Sequence, residues 1–100
     1  MVILGIDPAL SITGYGVIQV RKNKLSLLEA GIISTSAQSK LPERLDKIYK
    51  GISKLIVDTK PDCLVLEKLY VHYRHPTTAY LLGQARGVIS RCPYPATAPA

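Results

Sequence analysis

The fold is decided by residues 2–8, Val2-Ile3-Leu4-Gly5-Ile6-Asp7-Pro8. The apolar run up to Ile6 is rich in β-branched residues and is typical of a strand that is covered on both faces of a sheet. Because proline pushes the preceding residue away from the helical region, Asp7 is predicted at the extended C-terminal end of this strand. The sequence thereby sets a carboxylate at the rim of a sheet.

Two more strands are predicted next. The segment from Gly14 to Val20 is typical of a second strand and that from Leu25 to Thr35 of a third, with a polar turn at Arg21 to Lys24 between them. We expect Gly14 and Gly16 to permit a close backbone approach near the preceding loop. Together the three strands predict an antiparallel meander.

An amphipathic helix follows, because the hydrophobic period changes from two residues to about three and a half after Pro42. Pro42 suits the first helical turn, Glu43 complements the positive helix N-terminus, and the helix should end near Lys60-Pro61. The apolar positions that share one helical face are Leu41, Leu45, Ile48, Ile52 and Leu55.

A second buried strand, Cys63 to Leu66, comes after this helix, and it too is followed by a carboxylate, Glu67. The helix has the right length for a crossover that returns the chain parallel to its start. Since adjacent strands lie about 4.8 Å apart, Asp7 and Glu67 at matching strand ends can share one small cation. A hard ion such as Mg²⁺ would relieve the repulsion between the two charges and supply a reactive water. Considered alone, each acid has a simpler structural interpretation. Asp7 would be a turn-forming residue, and Glu67 would form a salt bridge with a lysine.

Charge indicates the class of partner. The 100 residues suffice for one small domain, and 13 Lys plus Arg against 7 Asp plus Glu give a net charge of +6. No acidic residue follows Glu67, so the last third of the chain is purely cationic. This favours an anionic partner, with nucleic acid ahead of anionic lipid, and a solvated basic face is the plainer interpretation.

The sequence also argues against several classes of protein. No apolar run approaches the ~18 residues of a membrane-spanning helix, so no membrane association is expected. Residues 1–6 lack the features of a signal peptide, and we therefore expect a cytoplasmic protein. Cys63 and Cys92 have neither ligand nor disulfide spacing and are expected to be ordinary thiols.

A second helix is predicted after Pro76, and a tail after it. The helix carries Ala79, Leu82, Ala85, Arg86 and Ile89, with Gly83 and Gly87 as small-residue interruptions. Residues 92–100 are rich in proline and alanine and are expected to form a disordered or polyproline-like tail. The domain prediction is one partial domain over residues 1–91, followed by this tail.

Five sequence motifs occur along the chain in an order and spacing that identify a family. They are Ile3-Leu4-Gly5-Ile6-Asp7-Pro8, Thr13-Gly14-Tyr15-Gly16-Val17-Ile18, Leu41-Pro42-Glu43-Arg44-Leu45, Glu67 and Leu82-Gly83-Gln84-Ala85-Arg86-Gly87-Val88. In order and spacing they resemble the RuvC-type Holliday junction resolvases. The resemblance implies an α/β, ribonuclease H-like mixed sheet, with a three-strand antiparallel meander, a crossover helix and a fourth parallel strand. It also implies a homodimer, Mg²⁺-dependent symmetric nicking of four-way DNA junctions in recombination and repair, and a branch-migration helicase complex as a candidate partner.

The resemblance assigns roles residue by residue. Asp7 and Glu67 fall on the family's catalytic metal ligands. Tyr70 falls where the family has an aromatic residue near the junction centre and is expected to stack on an unpaired base, with a partly buried loop aromatic as the alternative. The candidates for phosphate contacts are Lys68, Arg74 and Arg86.

The chain departs from the family pattern at its end. The family completes its metal site with two further acids on a later helix, whereas no carboxylate follows Glu67 here. We therefore expect an incomplete domain, the N-terminal portion of a resolvase with a truncated or frameshifted C-terminus. Weak metal binding, impaired cleavage and exposed apolar surface should follow.

Two other functions stay open at this point. A non-catalytic DNA-binding fragment would keep the basic face and Tyr70 without the chemistry. An actin-like or sugar-kinase-like ATPase lobe begins with the same strand, acid and glycine-containing turn, although no second phosphate loop is visible in the sequence.

Overall fold

The computed structural model describes residues 1–66, residues 83–89 and the backbone of residues 97–99. The strands are β1 (Val2–Asp7), β2 (Ile12–Arg21), β3 (Lys24–Ser34), β4 (Cys63–Leu66) and β5 (Thr97–Pro99). The helices are α1 (Leu41–Thr59) and α2 (residues 83–89). The strands form one sheet in the order β3-β2-β1-β4-β5. This mixed α/β arrangement confirms the predicted fold class and adds a strand, β5, that was not predicted.

The first three strands form the predicted antiparallel meander. β1 pairs with β2 so that Asp7 lies opposite Gly14, and β2 pairs in turn with β3. Lys22 and Asn23, the two residues between β2 and β3, have φ values of 51° and 63°. Positive φ at both positions matches the right-handed twist of the strands that they connect. The predicted polar turn is therefore a two-residue hairpin loop.

Helix α1 begins and ends where its sequence predicts. Pro42 lies in its first turn, where a missing N–H costs nothing. At the other end Lys60 adopts the left-handed conformation with φ 46°, and its N–H donates to the Ile56 carbonyl at 2.9 Å. This cap ends the helix directly before Pro61, as the proline rule requires. The predicted apolar face is the buried one, since Ile48 and Ile52 are fully buried.

Strand β4 returns parallel to β1 and confirms the predicted crossover. Ile3 lies opposite Cys63, and Ile6 lies opposite Leu66. The pairing starts at Asp62, whose carboxylate accepts a hydrogen bond from the Val2 N–H at 2.8 Å and whose own N–H donates to the Val2 carbonyl at 2.8 Å. This reciprocal pair sets the register of the two strands.

The hydrophobic core lies on one face of the sheet. Leu4, Ile6 and Leu64 point to this face and are buried together with residues of both helices, among them Ala85 and Ile89 of α2. Among the described residues, the opposite face is only partly covered, so the expectation that β1 is covered on both faces is met in part. Half-buried residues on β1 are Ile3 and Gly5, and exposed apolar side chains on β2 and β3 include Ile12, Leu25 and Ile32. The predicted exposed apolar surface is thus present.

The tail prediction is wrong at residues Thr97–Pro99, which form β5 against the free edge of β4. Polyproline and β conformations are neighbours in φ and ψ, so a proline-rich segment stays extended and pairs with an available edge. Pro99 is tolerated because an edge strand needs fewer N–H donors than a central one. Residues 92–96 and 100 lie outside the described residues, and the domain boundary at residue 91 stays a prediction.

Two further sequence-based expectations concern membranes and thiols. Within the described residues, neither helix combines the length and the apolarity that a bilayer crossing needs. Cys63 is a half-buried free thiol, and Cys92 lies outside the described residues.

Candidate functional site

Asp7 lies at the C-terminal end of β1 with its side chain exposed. The residue before it, Ile6, is paired with Leu66 at the end of the parallel strand β4. The carboxyl ends of two parallel neighbours therefore meet at one rim of the sheet, which is where open α/β sheets bind ligands. Glu67 follows Leu66 in the sequence and lies outside the described residues.

Glycines border Asp7 on the sheet face opposite the core. They contribute to a shallow concavity of about 400 Å³ that is lined by Gly5, Ile6, Asp7, Gly14, Tyr15, Gly16 and Val65. A Cβ atom added to Gly14 or Gly16 would meet no atom of the described structure within 4 Å. The predicted close backbone approach at these two glycines is therefore wrong for the residues described. Their effect is to keep the surface beside Asp7 free of side chains.

The loop after Asp7, residues 8–11, is closed by a buried threonine. The Thr13 hydroxyl accepts a hydrogen bond from the Ala9 N–H at 3.3 Å and donates to the Ala9 carbonyl at 2.6 Å. Thr13 is fully buried, while Pro8 and Leu10 of the loop are buried as well. Both polar groups of Ala9 are thus satisfied, so the loop has a defined conformation next to the carboxylate.

Arg44, in the first turn of α1, joins the same loop to the end of β3. Its Nε donates to the Thr35 hydroxyl at 2.8 Å, and its Nη2 donates to the Ser11 hydroxyl at 3.1 Å. Thr35 completes the network, because its hydroxyl donates to the Leu10 carbonyl at 2.6 Å and its N–H donates to the Ser11 carbonyl at 2.9 Å. We call these groups, Ser11, Thr35 and Arg44, the loop clamp.

Sequence reasoning missed both the loop clamp and the role of Thr13. Thr13 and Arg44 stand in two of the five motifs quoted above, yet the pattern assigned neither of them a role. The available signal was an arginine near the start of an otherwise amphipathic helix, together with hydroxyl residues flanking the strands. Which hydroxyl this guanidinium reaches depends on how α1 crosses the sheet, and spacing along the chain does not contain that information.

The other predicted site residues fall largely outside the structure. Glu67, Lys68, Tyr70 and Arg74 all lie outside the described residues. Arg86 is half-buried on α2, next to Ala85 in the core. Among the residues described, no group of three or more His, Cys, Asp or Glu side chains is placed to bind a metal ion. Asp7 is the predicted metal ligand that the described part of the chain contains.

Tyr15 lines the concavity but is engaged elsewhere. Its hydroxyl donates to the Glu29 carboxylate at 2.8 Å. This hydrogen bond raises the pKa of Tyr15 above its usual value, because it favours the protonated phenol, and burial and the charge of Glu29 act in the same direction. Tyr15 therefore has a structural role in tying β2 to β3.

The match that decides the family covers residues 3–92, where the sequence fits the family model described as Crossover junction endodeoxyribonuclease RuvC. The chain belongs to this family. Its relatives include the crossover junction endodeoxyribonuclease RuvC of Rhodopirellula baltica, which is 48% identical over 87 residues, corresponding to 87% of this chain and 49% of the relative. The RuvC of Cupriavidus taiwanensis is 47% identical over 87 residues, or 87% of this chain and 48% of that protein. The chain thus spans about half the length of these RuvC relatives.

A solved RuvC structure agrees with the fold. The Thermus thermophilus RuvC, determined in complex with a Holliday junction substrate, matches the whole of this chain and 66% of its own with a TM-score of 0.87 and 26% sequence identity. The resemblance drawn from the five motifs is therefore confirmed, as is the ribonuclease H-like arrangement that it implied.

Proposed function

We propose that this chain carries the nuclease core of an endonuclease of the Holliday junction resolvase type. The observation that carries the proposal is the parallel pairing of β1 with β4, in which Ile6 and Leu66 are partners. The residues that follow them in the sequence are Asp7 and Glu67. Because equivalent ends of adjacent strands lie about 4.8 Å apart, we infer that these carboxylates act together as catalytic metal ligands.

The donor chemistry supports Mg²⁺ as the cofactor. Carboxylate oxygens are the hard donors that Mg²⁺ prefers, and an ion that keeps several waters needs space around its ligands. The concavity beside Asp7 offers this space, since Gly14 and Gly16 place no side chain there. When bound, Mg²⁺ would polarise a phosphodiester and supply a water of lowered pKa. Asp7 itself presents an exposed carboxylate at a rim that a DNA strand can approach.

Four-way junction DNA is the proposed substrate. The T. thermophilus relative was solved with a Holliday junction, and a net charge of +6 suits a polyanionic partner. We assign base stacking to Tyr70, a contact worth about 1–3 kcal/mol per base in single-stranded DNA complexes. The residues assigned to phosphates are Lys68, Arg74 and Arg86, and loss of each should weaken binding of all junctions and lower its salt dependence.

The active assembly is proposed to be a homodimer. Two nicks placed symmetrically on one junction require two metal sites related by a two-fold axis, which a second copy of the chain would supply. A branch-migration helicase complex is the proposed partner on the strength of the family resemblance, and the cytoplasm is the proposed location.

We further propose that the 100-residue chain by itself cleaves junctions slowly. It carries 7 acidic residues in total, none of them after Glu67. Two carboxylates leave a bound Mg²⁺ largely hydrated and weakly held, so few molecules carry the metal at once.

The test is a nicking assay on a four-way junction with a titration of Mg²⁺. We expect slow, paired nicks that require Mg²⁺ and disappear in Asp7→Asn and in Glu67→Gln. Asp46→Asn is the matched control, because Asp46 is an exposed carboxylate on α1 that pairs with Lys50 at 2.8 Å. Binding of the junction without Mg²⁺ should persist or strengthen in Asp7→Asn, since a negative charge is removed.

Other outcomes would favour the other functions. Junction binding without nicking at any Mg²⁺ concentration would identify a non-catalytic DNA-binding fragment. Protection against thermal unfolding by ATP but not by junction DNA would favour the ATPase lobe. Nicking at the rate of a full-length resolvase would contradict the proposed impairment.

A further inference from the structure

We propose that Arg44 is a positioning residue for the metal ligand Asp7, acting through the loop of residues 8–11. This inference rests on the proposed function, because it takes Asp7 to be a ligand. Arg44 does not need to touch the metal or the DNA for this role. It acts through the two hydroxyl groups that its guanidinium contacts in the loop clamp, those of Ser11 and Thr35.

The geometry of the contacts requires a guanidinium. Nε and Nη2 of Arg44 donate from one rigid plane to two acceptors, Thr35 at 2.8 Å and Ser11 at 3.1 Å. A lysine ammonium is a point donor on a flexible stem and does not reproduce this fork. Thr35 extends the contact to the loop backbone, since its hydroxyl donates to the Leu10 carbonyl at 2.6 Å. The first turn of α1 thereby fixes the second half of the loop, residues 10 and 11, while Thr13 holds Ala9 in the first half.

The loop matters because Asp7 lies at its start. The Asp7 side chain is exposed, so burial of the carboxylate does not select its orientation. What fixes its backbone is β1 on one side and the ordered loop on the other. If a metal ligand must become ordered when the metal binds, the conformational entropy lost weakens the affinity. A loop that is already ordered avoids this cost. The loop clamp is the part of this arrangement contributed by α1.

Because Arg44 is positively charged, a charge effect and a positioning role predict opposite changes in metal affinity when it is replaced. A guanidinium held against the loop beside a cation site repels the cation, so its removal should strengthen metal binding if charge alone mattered. A positioning role predicts the opposite, weaker metal binding. Arg44→Lys separates the two further, because it keeps the charge and loses the fork.

The experiment is a titration of the 100-residue chain with Mn²⁺, followed by paramagnetic broadening of the backbone amide signals of Asp7 and Gly14. We expect Arg44→Ala and Arg44→Lys each to weaken Mn²⁺ binding about fivefold, somewhat below the loss typical of groups that bond a metal ligand directly. Ser11→Ala, which removes one arm of the fork at an exposed residue, should weaken it about twofold. The matched control is Lys54→Ala, which removes a positive charge from the same helix where Lys54 pairs with Asp58 at 2.8 Å. It should leave Mn²⁺ binding unchanged.

The outcomes separate this inference from the proposed function. If Asp7→Asn abolishes broadening while Arg44→Ala binds Mn²⁺ as tightly as the unmodified chain or more tightly, the positioning role is refuted and the metal site stands. If Asp7→Asn leaves the broadening unchanged, Asp7 is not a ligand and both proposals fall. Faster hydrogen exchange of the Thr35 amide in Arg44→Lys, without faster exchange in β1, would support the clamp directly. Should Arg44→Ala fail to fold, Arg44→Lys and Ser11→Ala decide the question.

Discussion

Replacing Thr13 by valine tests how much the Thr13 hydroxyl contributes to holding the loop beside Asp7, which the loop clamp also contacts. Valine has nearly the shape of threonine, so the change leaves the packing of this fully buried side chain intact. It removes both contacts with Ala9, the one at 2.6 Å to its carbonyl and the one at 3.3 Å from its N–H. The loss therefore reports hydrogen bonding rather than a cavity.

The expected cost follows from these two contacts. A neutral hydrogen bond contributes about 0.5–1.5 kcal/mol net, and the 3.3 Å contact lies beyond the usual range and should contribute least. The Ala9 carbonyl, left half-buried without its donor, adds about 1 kcal/mol. We expect Thr13→Val to lower the free energy of unfolding by about 2 kcal/mol, or the melting temperature by about 8–16 °C.

Urea denaturation followed by circular dichroism measures this loss. Thr59→Val is the matched control, because the Thr59 hydroxyl donates to the Leu55 carbonyl at 2.7 Å in the last turn of α1. There the same substitution should cost less than about 0.5 kcal/mol, since a carbonyl within a helix also accepts the backbone N–H four residues further on. If the two variants lose the same stability, the Thr13 hydroxyl does not hold the loop.

Three further predictions concern the sheet and the core. Gly31→Ala should lower the free energy of unfolding by about 1 kcal/mol, because the added Cβ would lie 2.7 Å from the Tyr15 hydroxyl oxygen. Gly16→Ala, whose added Cβ meets no described atom within 4 Å, should be neutral or stabilising. Urea denaturation measures both. The hydrogen bond to Glu29 raises the pKa of Tyr15, so its contribution to stability should be complete below the ordinary tyrosine pKa of 10.0 and be lost as the pH rises through the higher value of the folded state. Ultraviolet titration should show a tyrosine that ionises late and that Tyr15→Phe removes. Ile52→Ala, at a fully buried position of α1, should cost about 2–5 kcal/mol and be detected as a lower urea midpoint.

Much of the fold was predictable because local rules agreed with one another along the chain. Pro8 and Pro61 mark the ends of a strand and a helix, since proline restricts the residue before it. The change of hydrophobic period after Pro42 identified the crossover helix and its buried face. β5 was not predictable in this way, because a proline-rich segment becomes a strand only when a free edge lies beside it.

The candidate site, too, was predictable from the sequence only in part. Asp7 was identified from its position after an apolar strand, and the five motifs supplied the family. The role predicted for Gly14 and Gly16 was wrong, because they leave the sheet face beside Asp7 open and do not mediate a close approach of the backbone. Arg44 was quoted within a motif but received no role, because its partners lie 9 and 33 residues away in the sequence.

By itself the sequence determined the order of strands and helix, the buried face of α1 and the placement of Asp7 at a strand end, because period, proline and charge act over a few neighbouring residues. Tertiary structure alone decided the register of β1 against β4, with Ile6 beside Leu66, the addition of β5 to the sheet, and the guanidinium that joins α1, the end of β3 and the loop after Asp7. These contacts link residues that are distant along the chain, and they form only when packing of the core brings the elements together.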